Sequence, residues 1–212
     1  MQAATREEFD NYLDVIESTS PATAAAGFAK KWPQSELLPH VYLIEAEARR
    51  SFGETVNARR AAENALQAAK DHIPALVFLA EIISNSAEAK DDLKIAETHA
   101  RRALHLLETF RVPKSVPLEE FETARDRMRS RSHATFGLIA FKREETKIAI
   151  QEFEAAEAIM PEPDPVILYR LGKLYCEVGR IADCIARMKQ VTALGEPTLK
   201  LRAQKELHQV GR

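Results

Sequence analysis

The sequence predicts an all-α protein, an α-solenoid of about five antiparallel helix pairs closed by a single helix at 198–212. Three observations carry this. Apolar residues recur at spacings of three and four, and no run alternates with a period of two, so helices are expected and strands are not. Helix breakers are sparse, with 7 Gly and 10 Pro in 212 residues, and the rest is rich in Ala, Leu, Glu, Lys and Arg. Two helix-embedded glycines, Gly137 and Gly172, stand 35 residues apart with matching neighbours.

The expected elements follow in chain order. The amino end offers helices at 6–18 and 21–32. Next come 36–52, stopped by Gly53, and 55–72, stopped before Pro74. A third pair spans 74–85 and 91–110, with Ser84 to Ala89 (SNSAEA) read as a longer polar turn. The stretch 111–117 (RVPKSVP) carries two prolines and is partly non-helical. Helix 118–132 runs on into 132–143, giving one long or kinked helix of ~25 residues. Its partner is 146–160, before Pro161. Pro165 opens the clearest helix, 165–178, which Gly179 stops. The helix 181–194 ends at Gly195 and Pro197, and 198–210 follows without a partner.

Bulk properties exclude several functions. Apolar residues make up 45% of the chain, too many for a disordered segment, and the net charge of -2 does not suit a dedicated binder of nucleic acid or anionic membrane. The longest apolar stretch, 73–83, carries Glu81 and is too short to span a membrane. The start, MQAATREEFDNYLDVIE, has no apolar core of a secretory signal. A cytoplasmic location is expected, with export after signal removal kept open. Cys176 and Cys184 lack metal-ligand spacing and read as reduced, buried small residues. A disulfide between them needs Cα atoms within about 7 Å and is not expected.

The repeat is tested by subtraction. Leu168, Leu171, Gly172, Tyr175, Gly179, Cys184, Met188 and Val191 correspond, 35 residues earlier, to His133, Phe136, Gly137, Ala140, Glu144, Ala149, Phe153 and Ala156. Ala96, Ala100 and Ala103 repeat the second-helix spacing. Tyr42, Ala46, Gly53, Ala58, Ala62 and Ala65 repeat the whole pattern. Gly172, Gly137, Ala80 and Ala46 fall where two helices of a pair cross. Small residues there let the axes approach to the near end of about 8–10 Å. A leucine at Gly172 should overpack that crossing by about 1–3 kcal/mol.

These residues resemble the tetratricopeptide repeat family, whose pattern runs W-x2-L-G-x2-Y, A-x3-F and P over ~34 residues. Leu168, Leu171, Gly172 and Tyr175 with Cys184 and Met188 match it. Phe136 and Gly137 with Ala149, Phe153 and Pro161 match too. The first-slot aromatic occurs only as Tyr42. The resemblance covers roughly 36–197, and 1–35 by pattern alone. It divides a single domain, 1–212, into a degenerate pair 1–35, repeats 36–74, 75–110, 118–161 and 162–197, and a capping helix 198–212. It also implies a right-handed superhelix with a concave groove lined by the first helix of each pair.

Carried onto this register, the groove candidates are Phe78 and Glu81 in one repeat, Arg131, Phe141 and Lys142 in another, and Tyr169, Arg170 and Lys173 in the last. The expected function is a non-catalytic scaffold that binds a protein or peptide, of acidic character toward Arg170 and Lys173. A homo-oligomerising module and a regulatory domain acting with an enzyme are the alternatives. The asparagines of the family's chaperone-tail clamp are missing from the matching slots. No catalytic constellation, metal set or phosphate loop is recognisable, so no enzyme, metal, cofactor or nucleic-acid partner is expected. The run Arg125, Arg127, Arg129, Arg131 alternates between two helix faces beside Glu122 and Asp126. It reads as a solvated, salt-bridged surface.

Overall fold

The computed structural model describes residues 3–112 and 116–210. Eleven helices and no strand occur among the described residues, in the sequential pairs that the sequence predicts. The chain divides into two compact units, Met1–Phe110 and Arg111–Arg212.

The first unit opens with α1 (Arg6–Glu17) and α2 (Pro21–Lys31). A capping box starts α1: Thr5 Oγ1 accepts from the Glu8 amide, and the Ala4 amide donates to the Glu8 carboxylate. The Ser35 side chain also bonds this buried carboxylate, which holds it below the usual range. Val15, Ala25, Phe28, Leu37, Leu38 and Val41 make the first core cluster, with Trp32 packed against it.

The pairs α3 (Leu38–Ser51) with α4 (Thr55–Ala68), and α5 (Ile73–Ser86) with α6 (Lys90–Thr109), follow. Ala46 is fully buried, as are Ala58, Ala62 and Ala65 on α4 and Ala96, Ala100 and Ala103 on α6. The small residues therefore sit inward, as the repeat requires. α5 is apolar nearly all round, with ten buried residues from Ile73 to Ser84. The SNSAEA segment departs from expectation. α5 runs on through Ser86, where the Ser84 and Ser86 hydroxyls are accommodated by donating to the carbonyls of Glu81 and Ile82 in their own helix.

In the second unit α7 (Leu118–Lys142) is one helix of 25 residues, as the continuous pattern predicts. Of the proline-rich stretch before it, 113–115 lie outside the described residues, and the flanking residues are non-helical. α8 (Thr146–Ile159), α9 (Pro165–Glu177), α10 (Ile181–Leu194) and α11 (Pro197–Val210) complete the unit. Asp164 starts α9, accepting from the amides of Val166 and Ile167 at 2.7 and 3.3 Å. One continuous core joins Leu138, Phe153, Leu168, Leu171, Met188 and Ala203 from all five helices. α8 is tied to α10 by Arg187, which donates to Glu157 at 3.1 Å. The Tyr175 hydroxyl donates to Glu154 at 2.7 Å, and burial first, then that bond, pushes its pKa up to about 12.

The cysteines correct the sequence expectation. Cys176 and Cys184 form a disulfide, with Cα atoms 5.2 Å apart. Cys176 lies in the last turn of α9 and Cys184 in the first turn of α10. The tight reversal at Gly179 brings those turns alongside each other, within the usual Cα range for a disulfide, roughly 4.4–6.8 Å.

That reversal recurs in three pairs with the same bonds. The amides of Glu54, Glu145 and Arg180 donate to the carbonyls of Arg49, Ala140 and Tyr175 at 2.8–2.9 Å. Those of Gly53, Glu144 and Gly179 donate to Arg50, Phe141 and Cys176 at 3.0–3.2 Å. This double closure needs a left-handed residue at its centre. Gly53 and Gly179 supply it at φ 76 and 78, but Glu144 adopts φ 63 with a full side chain. Left-handed backbone costs a non-glycine residue roughly 1–2 kcal/mol, partly offset by the greater flexibility of unfolded glycine. Glu144→Gly should therefore raise stability by about 0.5–1 kcal/mol. A lower urea midpoint for that variant would contradict the assignment of the turn.

Candidate partner-binding surface

The predicted groove residues of the second unit come from two helices. Arg131, Leu138 and Lys142 follow one another at spacings of seven and four, so they share a stripe of α7, with Phe141 beside it. Leu138 is buried, Arg131 and Lys142 are half-buried, and Phe141 is exposed. On α9, Val166, Tyr169, Arg170 and Lys173 share one face. Tyr169, Arg170 and Lys173 are half-buried and Val166 is exposed.

Arg170 links this face to the core beneath. Its guanidinium lies 5.8 Å from the Phe153 ring centroid. Phe153 in turn fills the space that a side chain at Gly137 would occupy, since a Cβ there would meet its ring at 2.8 Å. The missing side chain on α7 thus sets the depth of Phe153 on α8, over which the Arg170 guanidinium lies. Tyr169 is held from the other side, its hydroxyl donating to Glu206 of α11 at 3.4 Å. Burial, reinforced by that carboxylate, raises its pKa.

The first-unit candidates stand differently. Phe78 has no exposed surface, which overturns its assignment as a groove contact. α5 has no solvated face at that level, and the Arg50 guanidinium stacks 4.6 Å from the Phe78 ring centroid. Glu81 is half-buried and pairs with Arg50 at 3.3 Å. Its carboxylate therefore serves a contact between α3 and α5.

Two participants were not singled out in the sequence. Val166 is legible in retrospect, because it sits three and seven residues before Tyr169 and Lys173. Glu206 is not, since its contact with Tyr169 spans 37 residues and two helix reversals. Of the arginine run only Arg127 is exposed; Arg125, Arg129 and Arg131 are half-buried, with Arg125 near Glu122 and Arg129 paired to Asp126 at 3.2 Å, so the run is salt-bridged but not the fully solvated face expected. Among the described residues, no group of three or more His, Cys, Asp or Glu is placed to hold a metal ion. No helix of the described residues is long and apolar enough to cross a membrane.

No protein-family model matches the chain. No curated protein matches it either. Solved structures do. A thermophilic TPR protein from Thermus thermophilus superposes with a TM-score of 0.63 at 17% identity, covering 95% of this chain and 96% of that one. The fold is that of the tetratricopeptide repeat. MamA from Desulfovibrio magneticus, residues 41 to its end, gives a TM-score of 0.62 at 15% identity over 91% of this chain and 97% of its own. BtubC from P. vanneervenii gives 0.57 at 16% over 89% and 84%. The tetratricopeptide fold accounts for the inward slots: Leu168, Leu171, Gly172, Tyr175, Cys184 and Met188 are all buried, as are Gly137, Ala149 and Phe153. At such identities the backbone persists while surface residues are free to change, so the binding face must be read from this chain's own side chains.

Proposed function

We propose that this chain is a non-catalytic scaffold that binds an acidic segment of a partner protein on the α7 and α9 faces of its second unit. The supporting observation is the grouping of Tyr169, Arg170 and Lys173 on α9, with Val166 exposed beside them. Arg131, Lys142 and the exposed Phe141 extend the same chemistry onto α7. Four cations interleaved with aromatic and aliphatic surface suit a peptide that carries carboxylates between apolar residues. The charges would steer and orient it while the apolar contacts slow its release. A fold built of stacked helix pairs presents such a face without needing catalytic groups, and its inward slots are consumed by packing. The boundaries predicted from the sequence, with repeats at 118–161 and 162–197, belong to this reading. So do a non-enzymatic role and an acidic partner.

The test is an array of 15-residue peptides, acidic and basic, probed with the wild-type chain and with the Arg170→Glu, Lys173→Glu double variant. Acidic peptides with interspersed leucine or phenylalanine are expected to bind. The double variant should weaken them tenfold or more, because each reversal replaces an attraction by a repulsion. Lys142→Glu, which leaves the Arg170 contact with Phe153 intact, should weaken them in the same direction. Undiminished binding by both variants would remove the assignment.

A further inference from the structure

The geometry points to a docking interface between copies of this chain, in which α1 of one molecule packs against α11 of the next. Phe9, Leu13 and Ile16 stand at spacings of four and three along α1, so they form one stripe. They are 47%, 37% and 50% exposed, while Val15 on another side of α1 is buried in the first core cluster. Three large apolar side chains in a row on a solvated helix face are unusual for a surface with no occupant. The stripe is bordered along its length by Asp10, Asp14 and Glu17. α1 carries five acidic residues and one basic one.

That border decides what can cover the stripe. A second α1 in isologous pairing would set these carboxylates against themselves. α11 has the complementary character. It carries Lys200, Arg202 and Lys205 against a single acid, Glu206, which faces inward to Tyr169. Its core side holds Leu199, Ala203 and Leu207. Its outer side presents Leu201, 54% exposed and flanked by Arg202 and Lys205. An acidic-bordered apolar stripe and a basic-bordered exposed leucine on the same molecule make a heterologous pair. Such a contact leaves the pair with one unused surface of each kind, one on each molecule, so association continues head to tail until a ring closes or a filament grows. Two helix faces make a small interface, so assembly should be concentration-dependent and weakened by salt. The inference stands apart from the α7 and α9 binding face, and the variants below touch none of its residues.

Sedimentation velocity of the full chain from about 5 to 500 μM at low salt tests it, across the range that a small interface would occupy. The weight-average mass is expected to rise beyond the dimer with concentration. Two variants should each remain monomeric: Asp14→Lys with Glu17→Lys, and Arg202→Glu with Lys205→Glu. In an equimolar mixture of the two, contacts between unlike variants are complementary on both sides. The native acidic α1 of one meets the native basic α11 of the other, and the lysine-bearing α1 meets the glutamate-bearing α11. The mixture should therefore associate, as should a single chain carrying all four reversals. Circular dichroism melts of both variants matching wild type confirm that folding is intact. All four substitutions are at exposed positions, and Leu13→Ser provides an uncharged disruption of the same stripe. A wild-type chain that stays monomeric throughout overturns the inference. So does association that persists in either double variant, or reversed charges that fail to re-associate.

Discussion

Gly137→Ala should destabilise the second unit by up to about 2 kcal/mol, whereas Gly172→Ala should be nearly neutral. Both glycines lie inside helices, so alanine gains about 1 kcal/mol of helix propensity at either site. The new methyl group decides the balance. At Gly137 it would lie 2.8–2.9 Å from three atoms of the Phe153 ring. That ring is fully buried and rigid, and it can retreat only by moving α8 away from α7. Overpacking of this kind costs about 1–3 kcal/mol, more than the propensity gain. At Gly172 the near atoms are the Met188 Cε at 2.9 Å and the Arg187 Cβ at 3.3 Å. The methionine terminus turns about three bonds and can give way at small cost. Urea unfolding followed by circular dichroism reads both. Equal losses, or a larger loss at Gly172, would mean that the two crossings are not packed as described. Leucine exceeds the available space at both sites, and its effects should follow the same order.

Acidification from pH 7 to pH 5 should weaken the first unit by about 2 kcal/mol through His72. His72 is 5% exposed, and its Nε2 lies 3.3 Å from Nδ1 of His40. Its own Nδ1 is buried without a hydrogen-bond partner. Burial, with the neighbouring His40 adding to it, lowers its pKa to about 4. His40 and His99 are also lowered, chiefly by burial. The unfolded chain takes up the proton near pH 6.5, well before the folded chain does. The unfolded state therefore binds more protons between pH 6.5 and about 4, and stability falls as pH drops through that window. Above pH 7 the contribution is complete. Trp32, the single tryptophan, packs against the first core cluster, so its fluorescence reports this unit directly. His72→Gln should flatten the decline of its unfolding midpoint between pH 7 and 5, whatever its effect at pH 7. An unchanged slope would assign the acid sensitivity to other groups.

The repeat was legible because helix crossings demand small residues, and small residues can be counted. Gly137 and Gly172, with the alanines of α4 and α6, could occupy few other positions in a paired-helix protein. The turns were legible in part. Gly53 and Gly179 announce the left-handed residue, but Glu144 fills the same place with no sign of it except the spacing. Phe78 was misplaced for a physical reason. A helix apolar on every side gives periodicity no face to choose, and the family register alone assigned one. The disulfide was missed because spacing along a helix says nothing about two helices reversing over Gly179. On α9, Tyr169, Arg170 and Lys173 followed from the register. The support from Phe153 and Glu206 arises from packing between helices that no single stretch of sequence contains.

Phe153 seated against Gly137 has a further meaning for how the helices are indexed. A large ring in a single notch admits one alignment of α7 with α8, because a slide by one turn would drive the ring into a side chain. α4 offers no such mark. Ala58, Ala61, Ala62 and Ala65 are all buried, and a slide by one turn of about 5.4 Å would exchange alanine for alanine. The pair α3 and α4 therefore takes its alignment from the closure at Gly53, while the pair α7 and α8 carries its own key. Evolution could lengthen the α7–α8 turn without losing the match between its helices, but the Gly53 turn has to keep its length.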